Sequence, residues 1–202
     1  VDGGQNLYNP LTGEYNDAGR LKEVTENGNT GYRLYTSNDP STYADIGDKA
    51  IDLTLRTSAS HQPSGDSSIA ILNGRSEGLN SIAIGQGNAL GNNSIALGVN
   101  QLATGFGSIA IGVNNEGQQL YSAAIGNGNE GYGIRSYIYG YQNTVSATDS
   151  IAIGKNNNNT GANSICIGVD NAITSQKALS IGYDNTTTGL TFSTITVGAY
   201  NI

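Results

Sequence analysis

Short segments of alternating apolar and small residues recur along the last two thirds of the chain. The clearest reads Ser-Ile-Ala-Ile-Gly, at 81–85, 108–112 and 150–154. Variants stand at 68–72, 94–98, 122–126, 136–140 and 164–168, and degenerate copies at 178–182 and 194–198. The starts are 13, 13, then six times 14, then 16 residues apart. Period two within each copy predicts a short strand with one apolar face. The closing Gly predicts its end, because Gly accepts backbone angles that other residues avoid. Three residues beyond that Gly stands Asn88, Asn115, Asn129, Asn143, Asn157, Asn171 or Asn185, with Gln101 in one copy. Asn tolerates left-handed backbone and bonds its own main chain, so these positions predict turns. The rest of each period is a second, more variable stretch and another turn. Such a repeat predicts an all-β parallel solenoid of about ten coils of 13–16 residues, each with two short faces.

Side-chain parity suggests what fills each coil. Second positions (Ile82, Ile95, Ile109) and fourth positions (Ile84, Leu97, Ile111) share one side of the strand. As the bulky apolar set they are expected inside. Third positions (Ala70, Ala83, Ala96, Ala110, Ala152, Cys166) then point outward. A rank of small residues on the outside suits close contact with a neighbouring chain. A coil this short has a thin core, so self-association through that face is expected.

Composition narrows the classes. Gly is 29 of 202, about twice the usual share of roughly 7%. Net charge is −7, which argues against nucleic acid, whose binding rests on Lys and Arg. No apolar run reaches the ~18 residues of a membrane span, so no membrane insertion is expected. There is no basic, then apolar, signal-peptide pattern. Met is absent even at position 1, which predicts a piece of something longer. One Cys and one His leave no disulfide framework and no metal site to expect.

Residues 1–66 differ in kind from 67–202. They hold 15 of the 25 charged residues and all three prolines. Ile51, Leu53 and Leu55 alternate with polar residues and predict a strand, and Tyr32 and Leu34 predict another. A small β-rich capping or connecting module is expected here, because an uncovered solenoid end exposes unpaired backbone.

Tandem Ser-x-Ala-Ile-Gly at period fourteen resembles the head repeats of the YadA-type trimeric autotransporter adhesins, over residues 68–198. The resemblance implies a left-handed parallel β-roll and a homotrimer. Similar repeats occur in fibres of phage tails and related contractile particles. The segment from Gly31-Tyr32-Arg33-Leu34 through Tyr43-Ala44-Asp45-Ile46-Gly47 to Ala50-Ile51-Asp52-Leu53 looks like the module that precedes such repeats there. The implied function is attachment to a cell surface by a trimeric segment. A tail fibre or receptor-binding protein of a phage or phage-like particle is the first reading, and the head of a bacterial surface adhesin the second. Implied partners are two further copies, a host cell-surface glycan or protein, and other fibre or baseplate subunits. The implied location is a virion or extracellular particle, or a bacterial surface on the second reading.

Candidate chemistry is sparse. His61 sits in loop context, and Cys166 replaces a ladder Ala with no His nearby to activate it. Glu77, Glu116, Glu130, Asp149, Asp170 and Asp184 are scattered over the coils and read as turn acids, so no catalytic pair, cofactor or metal is expected. Gly126-Asn127-Gly128 lacks the Lys and the strand–helix setting of a phosphate loop. One coil departs from the pattern: Tyr137 and Tyr139 occupy the ladder positions and Ile138 the small one, with Ala123 one coil earlier. Tyr121, Tyr132 and Arg135 lie outside the strand motifs and are expected on one edge of the rod. Tyr rings beside polar groups suit sugars, so these three are the candidate ligand-binding residues.

Overall fold

The computed structural model describes residues 8–9, 14–15, 21–34, 45–54, 63–189 and 193–201, and no helix occurs among them. His61 and Leu55 lie outside the described residues. Strand Ile109–Val113 pairs in parallel with Ile95–Ala103 on one side and Ala123–Asn127 on the other, with Ala110 level with Ala96 and Ala124. The same register continues through Tyr137–Tyr141, Ile151–Lys155, Ile165–Val169, Leu179–Tyr183 and Ile195–Ala199. A second parallel stack of two-residue strands runs alongside, from Glu116–Gly117 and Glu130–Gly131 through Thr144–Val145 to Thr186–Thr187. The chain is a parallel β-solenoid of about ten turns.

The two sides of the long strand are the reverse of those expected. Ala70, Ala83, Ala96, Ala110, Ala124, Ala152 and Cys166 are wholly buried, whereas Ile82, Ile84, Ile109 and Ile111 are only half-buried. The small residues fill the coil and the bulky ladder faces out. The reason is the width of the coil. Its second stack contributes two residues per turn, one facing in: Gly117, Gly131, Val145 or Ile173. Facing stacks held this close leave less than the ~10 Å that two layers of large side chains need. The interior is therefore filled by complementary sizes. Ile138 is inward in the coil where Gly131 has no side chain, and a Cβ on Gly131 would stand 3.6 Å from Ile138 Cδ1. Cys166 packs in the same cluster as Val145 and Ile173, and burial pushes its thiol up to about 12, so it stays protonated at neutral pH.

The recurring Asn residues also differ from expectation. Left-handed backbone falls one residue earlier, at Asn114, Gln142, Asn156, Asp170 and Asp184. Asn115, Asn129, Asn143, Asn157, Asn171 and Asn185 are themselves buried to within 1% and form a continuous ladder. Asn129 Nδ2 donates to Asn115 Oδ1 (3.0 Å), to the Ile125 carbonyl (3.0 Å) and to the Gly140 carbonyl (2.8 Å). Its main-chain N–H donates to the same Asn115 Oδ1 at 3.0 Å. Gln101 accepts at the start of the ladder and Asn201 donates at its end. A buried amide is costly unless its donors and acceptor are all engaged, and stacking identical amides engages them. The fifth-position Gly is required beside this ladder. Gly140 has φ +135°, and a Cβ there would lie 1.9 Å from the Gly154 carbonyl oxygen of the next coil.

The coil register runs back towards the N-terminus. Ile51–Thr54 pairs in parallel with Ile69–Leu72, and Tyr32 and Arg33 pair with Ile51 and Asp52. Leu21–Glu26 and Asn29–Leu34 form an antiparallel hairpin over Asn27 and Gly28, both at positive φ, as tight hairpin turns prefer. The inward column thus reads Arg33, Asp52, Ala70, Ala83. Arg33 and Asp52 are both buried, with Arg33 Nε donating to Asp52 Oδ2 at 3.1 Å. Glu26 also accepts from Arg33, and Asp52 accepts from Thr54 Oγ1 at 2.6 Å. Here too the strand expected over Ile51 and Leu53 is present, with the polar Asp52 and Thr54 turned inward.

Candidate functional site

Each coil presents two unlike faces. On the short-strand side the outward residues are mostly polar: Glu116, Glu130, Thr144 and Asn158 stand in register, between Leu102 and Ala172. On the long-strand side the outward residues are the second and fourth positions, apolar apart from the two tyrosine hydroxyls. Ten coils at ~4.8 Å each make this a strip on the order of 50 Å long. Between Ile69 and Ile181 its exposure is largest at Tyr137 (51%) and Tyr139 (63%); in the last coil Ile195 (72%) and Val197 (64%) exceed both. Ala123, in register with Tyr137, is the one small residue in the second-position ladder. Beside the tyrosines lies a hollow of about 240 Å³ between Ala123, Ile125, Tyr137, Tyr139, Ile151 and Ile153.

The turn edge carries Tyr121 and Arg135. Both hold left-handed backbone just before the motif Ser, with φ 56° and 53°. Arg135 N–H donates to the Leu120 carbonyl at 2.8 Å, so the two turns stack. Tyr121 turns to Phe106, edge to face, with ring centroids 5.6 Å apart. Arg135 turns the other way, to Asp149 one coil on, with Nη2 donating to Oδ2 at 2.7 Å. That contact holds the Asp149 carboxyl below its ordinary value. Tyr132 points to a third partner: its hydroxyl donates to Glu116 Oε2 at 3.3 Å. Burial, and then the charges of Glu116 and Glu130, push the Tyr132 hydroxyl up to about 12, so it remains a donor at neutral pH.

The structure therefore stacks Tyr121 and Arg135 on one edge, with each of the three candidate residues engaged to a different neighbour. Phe106 was missed by the sequence reading. Its signal is periodic: Phe106, Leu120 and Ile134 are apolar residues at the same turn position, 14 residues apart. What the edge offers a ligand is an exposed aromatic pair, Phe106 and Tyr121. Tyr132 adds a hydroxyl donor beside a carboxylate acceptor, and Arg135 a guanidinium already partnered by Asp149. Among the described residues no group of three or more His, Cys, Asp or Glu is placed to hold a metal ion.

Comparison with curated proteins returns no match. Residues 76–100, 103–129 and 140–157 match the family model described as the YadA head domain repeat. These segments contain the motif copies at 81–85, 94–98, 108–112, 122–126 and 150–154. Over these residues the coil stack carries YadA head domain repeats.

Proposed function

We propose that the chain is a homotrimeric attachment segment that presents its turn edges to a cell surface. The observation that carries this is the outward apolar ladder on repeats that match the YadA head. A face that is apolar along its whole length, opposite one that is polar, is a face to be covered. With that strip turned toward two other copies, the Phe106–Tyr121 edge and the Tyr132–Glu116 pair remain on the outside. The hairpin and the Arg33–Asp52–Glu26 group within residues 1–66 cap the first coil: they end the inward Ala column with charges that satisfy one another. A tail fibre of a phage or phage-like contractile particle is the reading we favour, located on the particle. The head of a bacterial trimeric adhesin is the alternative, and the repeat match fits both.

Light scattering on the purified chain is expected to give about three times 20.8 kDa. A monomer mass at micromolar concentration overturns the association.

Binding is tested separately, on immobilised glycans and on whole bacterial cells. Each site alone is weak, near millimolar or about −4 kcal/mol, and three linked sites gain roughly 10²–10⁴ in avidity. Replacing Tyr121, Tyr132 and Arg135 together by Ala is expected to abolish cell binding while leaving mass and β signal unchanged. Undiminished binding by that triple variant places recognition elsewhere on the chain.

A further inference from the structure

We propose that Tyr137 and Tyr139, with the hollow beside Ala123, set the axial register in which copies of this chain associate. The proposal rests on the self-association reading above and names what that association needs beyond apolar area. The ladder is nearly self-similar from coil to coil. Second positions read Ile69, Ile82, Ile95, Ile109 and then, past the aromatic coil, Ile151 and Ile165. Fourth positions read Ile71, Ile84, Leu97, Ile111, Ile125 and then Ile153, Ile167. Two such strips laid side by side meet equally well when one slides along the other by a coil, about 4.8 Å. Only the end coil loses its contacts. Repetition therefore supplies attraction without supplying position, as in any strand pairing whose side chains look alike in neighbouring registers.

A single coil breaks this degeneracy. Tyr137 and Tyr139 are the most exposed residues of the strip between Ile69 and Ile181, and Tyr137 stands in register with the smallest ladder residue, Ala123. A protrusion and a hollow of about 240 Å³ thus lie side by side. With copies level, the tyrosines of all chains lie at one height and the hollows at the next, so each protrusion has space within reach of its own coil. With copies displaced by one coil, the tyrosines of one copy meet Ala123 and Ile125 of the other. The tyrosines of that other copy meet Ile151 and Ile153, where isoleucine already fills the surface. The wrong register is penalised by overpacking and by phenolic hydroxyls pressed against apolar side chains. The occupant is a second copy of this chain. The strip is uncharged over its length and has the solenoid's own coil-to-coil spacing, which a second copy matches coil for coil. A specificity device of this kind lowers affinity for the alternatives more than it raises affinity for the chosen state.

The experiment reads register directly. In a Cys166→Ala background, chains carrying Leu97→Cys and chains carrying Ile111→Cys are mixed, unfolded and refolded together, and then oxidised. These positions lie one coil apart on the strip. Disulfides between like positions report copies that are level. Disulfides between the two different positions report a slip of one coil. With both tyrosines present, like-position disulfides are expected to dominate. With Tyr137→Ile and Tyr139→Ile, which restore the ladder residue of the neighbouring coils, mixed disulfides are expected to rise about tenfold at unchanged assembly mass. Ala123→Ile, which fills the hollow and leaves the tyrosines, is expected to move the ratio in the same direction. Mixed disulfides unchanged in both variants, at unchanged mass, overturn the register role and leave the association standing. A monomer mass for the chain with its tyrosines intact overturns the association and the register role with it.

Discussion

Ala110→Arg is expected to unfold the coil stack, whereas Ile111→Arg leaves it folded and separates the copies. The two residues are neighbours on one strand, and only the side of the sheet differs. Ala110 is wholly buried, level with Ala96 and Ala124 and in the same cluster as Ala89 and Ala103. A guanidinium there has no water and no carboxylate partner. An unpaired buried charge costs about 3–5 kcal/mol, and forcing extra atoms into a filled interior adds about 1–3 kcal/mol. Together these approach the whole stability of an ordinary domain, about 5–15 kcal/mol. Ile111 is half-buried and faces out, so its replacement meets solvent in the single chain and, in the association proposed above, meets the other copies. Circular dichroism and light scattering on both variants check this. Retained β signal with loss of association for Ala110→Arg, and loss of β signal for Ile111→Arg, is the outcome that overturns the assignment of the faces.

Asn143→Leu is expected to destabilise the stack by about 2–6 kcal/mol, at roughly 1–3 kcal/mol for each of two buried polar groups, the Gly154 carbonyl and the Asn157 main-chain N–H, that lose this partner. Asn143 Nδ2 donates to Asn129 Oδ1 at 3.0 Å and to the Gly154 carbonyl at 2.9 Å. Its Oδ1 accepts from the Asn157 main-chain N–H at 3.0 Å and from Asn157 Nδ2 at 2.9 Å. Leu shares the branching of Asn, so the change removes these hydrogen bonds and puts two larger methyl groups in their place. The Asn157 main-chain N–H is then orphaned in a place water does not reach, and the ladder is cut in its middle. Asn158→Leu is the control. That residue is exposed on the adjacent short strand, and its replacement is expected to change stability by less than about 0.5 kcal/mol. Urea unfolding of the three chains measures the difference. Equal midpoints for the two variants overturn the ladder's role.

The candidate site was legible only in part. Tyr121 and Arg135 are one period apart, so their stacking could be read from spacing alone, and so could the pairing of Arg135 with Asp149, again 14 residues on. The partner of Tyr132 could not. Glu116 lies 16 residues back, and the contact depends on a side chain reaching across the gap between coils. Phe106 was equally visible as a periodic turn residue, and was overlooked because a lone aromatic in a turn carries no motif.

The amino-acid sequence by itself determined the repeat, the strand positions, the parallel register and the fifth-position Gly column, because each follows from a fixed period combined with two-residue alternation. It could not decide which side of the strand faces in. Alternation defines two sides and is symmetric between them. The usual preference for burying the larger apolar residues selected the Ile ladder, and the tertiary structure selected the Ala column instead. The deciding quantity is the distance between the long-strand and short-strand stacks, set by turns of a few residues and by a second strand of only two. That distance admits a larger inward side chain only beside a small one, as with Ile138 beside Gly131, and it leaves the isoleucine ladder outside. The same closeness turns the recurring Asn from exposed turn residues into a buried ladder. It also lets Arg33 and Asp52 occupy the inward column at its N-terminal end, where Thr54 and Glu26 complete their hydrogen bonds.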